Sequence, residues 1–144
     1  MFVQPAPASD PLGMTFDQML ERIRYAGAYP TRERAAEAVH AVMTGLGRQL
    51  SGEERVELAA RLPIEAAITF TAQIPAVEPL TGYGFVKELA ARTGGTAATA
   101  RWDAGAVLAT VADLAGPDLL DRILARLQPG FALLFGRAEL VQAA

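Results

Sequence analysis

A pattern of helix, short break and second helix occurs twice in this chain, and it constrains the fold more than any other feature. In the first copy, apolar residues from Ala35 to Leu50 follow the i, i+3, i+4, i+7 spacing that forms one stripe of an α-helix. Ser51 and Glu54 then have the spacing of a capping box, which predicts that a second helix begins there. Pro63 ends that helix and suits the first turn of another.

The second copy lies 65 positions further along the chain. The matched apolar positions are Val42, Met43, Leu46, Leu58, Leu62 and Phe70 in the first copy and Val107, Leu108, Val111, Ile123, Leu127 and Phe135 in the second. The break differs, because Ala115-Gly116-Pro117 replaces Ser51-Gly52-Glu53 and proline is preset for a first helical turn. We therefore predict an all-α fold, a single helical bundle domain of two pseudo-equivalent four-helix repeats at about residues 15–74 and 81–138.

Local signals mark the remaining helix ends. Residues that suit an N-cap precede four predicted helices, at Thr15, Thr31, Thr81 and Thr96. Gly94-Gly95 and Pro129-Gly130 interrupt the second copy. No stretch shows sustained alternation of β-branched residues, so we predict eight helices and no strand. Residues 1–14 are expected to form a flexible tail, and residues 15–144 the helical domain.

These residues resemble a bacterial family known as domain of unknown function 2267, small helical proteins marked by an LSGGE-like break followed by LAxxLP. Leu50-Ser51-Gly52-Glu53 matches the first motif, and Leu58-Ala59-Ala60-Arg61-Leu62-Pro63 matches the second. A degenerate second copy spans Leu114 to Pro129, and the likeness covers roughly residues 15–135. The resemblance implies a two-repeat helical fold, and it brings no catalytic residues.

Composition argues against several classes of function. The chain has no cysteine, which removes disulfides, thiolate metal sites and cysteine nucleophiles. Its net charge of -3 gives no electrostatic reason to expect nucleic acid or an anionic membrane as a partner. No apolar run approaches the length of about 18 residues needed to span a bilayer, and the first residues lack the basic start of a signal peptide. We therefore expect a cytoplasmic protein without membrane insertion.

The single histidine is the main candidate for metal or catalytic chemistry. His40 follows Glu37 at the i, i+3 spacing of di-iron carboxylate bundles. Such a site needs a second pair, and the second copy has Trp102 and Gly105 at the matching positions. A lone histidine also leaves little basis for a nucleophile triad, and the glycine-rich segments lack the lysine of a phosphate loop. We therefore assign no catalytic residue, cofactor or metal, and we favour a function other than catalysis.

The helix expected from about Ala97 to Ala115 is apolar or small on both sides. Its predicted inward stripe is Ala104, Val107, Leu108 and Val111. The opposite side carries Ala98, Trp102, Gly105, Ala106 and Ala109, where the first copy has Glu33, Glu37, His40 and Thr44. A helix that is apolar all round is normally buried on all sides. We therefore predict a self-association or partner-docking surface centred on Trp102, or else a face covered by this chain's own segments Ile64 to Leu80 or Phe131 to Phe135.

Three functions remain open at this point. The leading hypothesis is a non-enzymatic helical interaction module that associates with itself or docks onto another protein. The alternative is a small-ligand binder or enzyme with a pocket between the repeats. A weaker alternative is a DNA-binding regulator, because a helix follows a short turn, but Glu53, Glu54 and Glu57 place negative charge where phosphates would approach.

Overall fold

The computed structural model describes residues 14–137, which form seven α-helices and, within that range, no strand. The helices are α1 (Phe16–Ala26), α2 (Arg32–Gly47), α3 (Glu53–Arg61), α4 (Ile64–Thr71), α5 (Gly82–Thr93), α6 (Ala97–Arg126) and α7 (Phe131–Leu134). The all-α prediction is confirmed. The predicted tail lies outside the described residues except for Met14, and so does the chain from residue 138 onward.

Two long helices, α2 and α6, form the centre of the molecule. α2 packs against α1, α4, α5 and α6, while α6 also packs against α1, α3, α5 and α7. The predicted inward stripe of α6 is fully buried, at Ala104, Val107, Leu108 and Val111. Phe70, Phe85 and Phe131 are among the largest fully buried side chains, so each half of the chain contributes aromatic residues to one continuous core.

The four predicted threonine caps all form. Thr15, Thr31, Thr81 and Thr96 each accept a hydrogen bond from the backbone N–H three residues later. At α1 the box is reciprocal, since the Thr15 N–H donates to Gln18 Oε1 at 3.0 Å and the Gln18 N–H donates to Thr15 Oγ1 at 3.1 Å. These caps satisfy N–H groups that have no partner within the helix, so they fix where each helix begins.

The break before α3 differs from its prediction. Gly52 is the N-cap, with φ 80° and ψ -159°, and no side chain caps the helix. Ser51 lies one residue before the cap and is exposed, so the predicted capping box of Ser51 and Glu54 is wrong. Glu54 is instead buried on the inner side of α3, with its Oε1 3.0 Å from Nε of Arg126.

The break within the second copy is a kink inside α6, at which two helices meet. Gly116 has φ 81° and ψ 162° inside α6, and Pro117 opens the part that follows. The two helices predicted there are therefore joined through a single residue, which gives seven helices instead of eight among residues 14–137. Arg61 of α3 donates a hydrogen bond to the carbonyl oxygen of Ala115, so a neighbouring helix satisfies an acceptor at the bend.

The segment between α4 and α5 lies on the surface and does not cover α6. Ile74 is 85% exposed and Val77 is 96% exposed. The segment is tied to the end of α2, because the Ala76 N–H donates to the Arg48 carbonyl at 2.8 Å and the Leu80 N–H donates to Gln49 Oε1 at 2.7 Å. Across residues 14–137, every helix is too short or too polar to cross a bilayer.

Candidate docking groove

A concave apolar surface runs along the exposed side of α6. Its cavity has a volume of about 570 Å³. The lining residues are Ala26, Ala98, Arg101, Trp102, Gly105, Ala106, Ala109, Leu133 and Leu134. All five residues that the sequence singles out as a candidate interface therefore lie on this one surface, which we call the α6 groove.

Trp102 is fixed in the groove by a hydrogen bond to a distant part of the chain. Its indole Nε1–H donates to the backbone carbonyl of Gly27, just beyond α1, at 2.8 Å. The residue remains 57% exposed. Because the only polar group of the indole already has a partner, the exposed part of the side chain is apolar.

A second cavity extends the groove toward the start of α5. It has a volume of about 450 Å³ and shares Ala98, Arg101, Leu133 and Leu134 with the first. Tyr83 lines the new part and is 74% exposed. The two cavities together form an elongated trough between α6 and α7, so the surface is longer than the first cavity alone.

α7 forms one wall of the groove. Phe131 packs edge-on against Phe85, with the ring centroids 5.3 Å apart. The Gly82 N–H donates to the Pro129 carbonyl at 2.8 Å, and a Cβ added at Gly82 would lie 2.5 Å from the Gly130 carbonyl. The segment that the sequence offers as a cover therefore stands beside the face of α6, held by α5, and leaves Trp102 exposed.

A polar cluster lies on the other side of the N-terminal part of α6. The Tyr29 hydroxyl donates to Asp103 Oδ1 at 2.6 Å, and Arg34 Nη2 lies 3.7 Å from Asp103 Oδ2. Burial of the phenol raises the pKa of Tyr29 well above its usual range, and the hydrogen bond to Asp103 raises it further. The cluster ties the α1–α2 turn to α6, which also positions Gly27 for the indole.

Arg55 has a structural role that the sequence does not reveal. Its guanidinium donates to the carbonyl oxygens of Gly47 and Leu50 at 2.5 and 2.8 Å, and to that of Gln73 at 2.5 Å. Longer hydrogen bonds reach Phe70 and Thr71. One side chain therefore satisfies carbonyl groups at the ends of both α2 and α4. No local signal predicts this, because the acceptors come from two separate segments.

The residues considered for metal chemistry lie apart from the groove. Glu37 Oε1 is 3.8 Å from Nη1 of Arg34, and His40 is exposed on α2. Across residues 14–137, no three side chains of the types His, Cys, Asp and Glu come together in a group that could hold a metal ion.

The comparisons with known proteins identify a family and leave its activity open. No curated protein matches the chain. A family model described as "Uncharacterized conserved protein (DUF2267)" matches residues 16–134, which include all seven helices and every residue that lines the α6 groove. The chain therefore belongs to the DUF2267 family of uncharacterized conserved proteins.

Proposed function

We propose that this protein is a non-enzymatic helical interaction module that binds a protein partner in the α6 groove. The observation that carries the proposal is the state of Trp102, which is held by Gly27 and yet 57% exposed. Tryptophan is enriched among residues that dominate binding energy, and a ring already fixed in place loses little conformational entropy when a partner covers it.

We further propose that the fold consists of two four-helix repeats, with α6 counted as two helices that meet at Gly116. Three pairs of positions support this. Gly52 and Gly116, 64 residues apart, have nearly the same φ, at 80° and 81°. Leu62 and Leu127 end their helices with φ of -89° and -87°. The N-caps of α2 and α6 are threonines 65 residues apart.

The proposed repeat gives the groove a counterpart for comparison. The positions that match Ala98, Trp102, Gly105 and Ala109 are Glu33, Glu37, His40 and Thr44. The first half thus has polar side chains where the second half has apolar or small ones. A polar helix face is normally exposed to solvent, whereas an exposed apolar face is typical of a binding surface, so this difference supports a docking role for the second half.

We also propose a cytoplasmic location, for the reasons given in the sequence analysis.

Site-specific photo-crosslinking in the cells that produce the protein tests this function. A benzophenone amino acid replaces Ala109 in the groove, and a control carries it at His40, which is exposed on α2. We expect Ala109, and not His40, to give a discrete crosslinked protein, identified by mass spectrometry. Equal crosslinking from both positions, or none from the groove, would contradict a docking role.

A small apolar ligand is a second candidate occupant of the same groove. The cavity of about 570 Å³ falls within the range of about 300–1,000 Å³ that is typical of ligand sites. Native mass spectrometry of the purified protein would detect a bound small molecule, and release of that molecule by Ala109→Glu would favour this candidate. The DNA-binding alternative has no comparable support, because Arg122 and Arg126, which face α3, are engaged by Glu54 and Glu57.

A further inference from the structure

A second apolar surface lies on α4 and carries the opposite charge to the groove. Ile64 and Ile68, one turn apart, are 67% and 60% exposed. Glu65 is exposed beside them in the first turn of the helix. We call this surface, Ile64, Glu65 and Ile68, the α4 ridge. Apolar residues at i and i+4 on one helix face are the pattern by which a helix docks into an apolar groove.

Within the part of the chain that the structure describes, the α6 groove is lined by a single charged residue, Arg101, which borders both of its cavities. No carboxylate within residues 14–137 lies within salt-bridge distance of Arg101, whereas most other arginines in that range have such a partner. Among residues 14–137, the groove therefore presents an apolar trough with one positive charge that has no carboxylate partner. An occupant with a carboxylate beside its apolar anchors would complement it.

Symmetric pairing of two grooves does not provide that carboxylate. Around a two-fold axis through the groove, each Arg101 would approach its counterpart, and neither cavity is lined by an acidic residue. The α4 ridge does provide it. α4 has eight residues and is about 12 Å long at 1.5 Å per residue, and the part of α6 from Ala98 to Ala109 is somewhat longer.

We propose, building on the function proposed above, that the occupant of the α6 groove is the α4 ridge of a second copy of this chain. Ile64 and Ile68 pack beside Trp102 of the neighbouring copy, and Glu65 pairs with its Arg101. In this arrangement each copy offers its ridge to one neighbour and its groove to another, so the interface is heterologous. Such an interface repeats from copy to copy and produces rings or open chains instead of a closed two-fold dimer.

Two substitutions at exposed positions test this arrangement. Ala109→Glu disables the groove and Ile68→Glu disables the ridge. Light scattering after size exclusion should find that the wild type grows in mass with concentration and that each variant alone is monomeric. A mixture of the two variants should form a 1:1 dimer and nothing larger, because each pair retains one intact interface. The folding control is a melting temperature equal to that of the wild type at a protein concentration too low for assembly, because assembly itself raises the melting temperature.

The other outcomes of this mixing experiment overturn the proposal in distinct ways. If only Ala109→Glu abolishes assembly, the groove pairs with itself; if only Ile68→Glu does, the ridge pairs with itself. A wild type that stays monomeric at high concentration excludes self-docking altogether. In that case a discrete crosslink from Ala109 to a different protein would still uphold the interaction module, so the two proposals fail separately.

Charge reversal provides an independent test. Arg101→Glu and Glu65→Arg should each weaken assembly by about tenfold or more, because each places like charges opposite one another. Both reversals in one chain should restore assembly. The fluorescence of Trp102, the only tryptophan, should shift to shorter wavelength on assembly. The size of this shift should rank the wild type and the variants in the same order as their extent of assembly. Failure of the doubly reversed chain to recover would show that Glu65 and Arg101 do not meet.

Discussion

Arg122 donates two hydrogen bonds to Glu57, from Nη1 to Oε2 at 2.8 Å and from Nη2 to Oε1 at 2.7 Å, across 65 residues of sequence. That separation is also the offset of the repeat that we propose, so the pair joins matching positions of the two halves. The hydrogen bonds from Arg122 hold the pKa of Glu57 below its usual range.

Reversing either charge of this pair should lower the melting temperature, and reversing both should recover part of the loss. Recovery should be incomplete, because Arg122 also lies 3.8 Å from Glu54. Both side chains are partly exposed, so high salt should reduce all of these differences. Thermal melting at low and high salt measures this, and additive losses without recovery would show that the pair does not couple the halves.

Arg55→Met should destabilise the protein by about 1.5 to 3 kcal/mol, the range for hydrogen bonds to a charged group. The substitution keeps most of the aliphatic stem but leaves the carbonyl groups of Gly47, Leu50 and Gln73 without their donor. Urea unfolding measures the change. Arg101→Met is the matched control, since Arg101 has no ion pair within residues 14–137, and it should leave monomer stability nearly unchanged. Equal effects would contradict the role of Arg55.

Glu21→Gln should reduce stability at neutral pH and have little effect once the pH falls below the folded pKa of Glu21, about 2. Hydrogen bonds from Arg24 and then Arg32 lower the pKa of Glu21 from 4.5 to about 2. A carboxylate whose pKa is lower in the folded state contributes stability above its unfolded pKa. That contribution is lost as the pH falls from about 4.5 toward 2.

Melting temperatures of wild type and Glu21→Gln across this pH range give the measurement. Glu78→Gln is a suitable control, because it removes the same charge from the exposed segment between α4 and α5. The difference in melting temperature between wild type and Glu21→Gln should shrink as the pH falls, whereas Glu78→Gln should melt close to the wild type at every pH. A difference that stays constant down to pH 2 would rule out the ion pairs of Glu21 with Arg24 and Arg32.

Leu62→Ala and Leu127→Ala should each cost about 2 to 5 kcal/mol, the usual range for emptying a buried leucine site. Both leucines belong to the core, with 8% and 9% exposure. Leu133→Ala serves as the control, because Leu133 is 53% exposed and its truncation leaves no internal cavity. Denaturant unfolding measures the free energy of unfolding of the three variants. If all three were as stable as the wild type, Leu62 and Leu127 would lie outside the core.

The parts of the fold that the sequence predicts depend on nearby residues. A threonine cap involves residues three positions apart, as in Thr31 with Arg34, so its signal lies within one turn of helix. Helical periodicity similarly predicts that Val107 and Leu108 face inward, and the same reasoning gathers the candidate interface residues on one side of α6. At Ser51 this local reasoning fails, because the adjacent Gly52 adopts a positive φ and takes the cap position itself.

The remaining features depend on contacts between distant segments. The indole of Trp102 meets the carbonyl of Gly27 across 75 residues, and Arg55 meets Gln73 across 18. Sequence spacing contains no information about such pairs until the packing of the helices is known. For the same reason the sequence offers the segment Phe131 to Phe135 only as a possible cover of this face, whereas in the structure it stands beside the groove as a wall.

The backbone contact between Gly82 and Gly130 divides the groove into a fixed frame and an exchangeable lining. No side chain separates α5 from the turn before α7 at this point, so a methyl group added at Gly82 would displace α7. Substitution at this contact therefore cannot change the width of the groove in small steps. Positions such as Ala98 and Ala109, in contrast, can change size or charge without moving any helix, since both are exposed. A protein engineer seeking new binding partners should therefore randomise the lining of α6 and leave the two glycines alone.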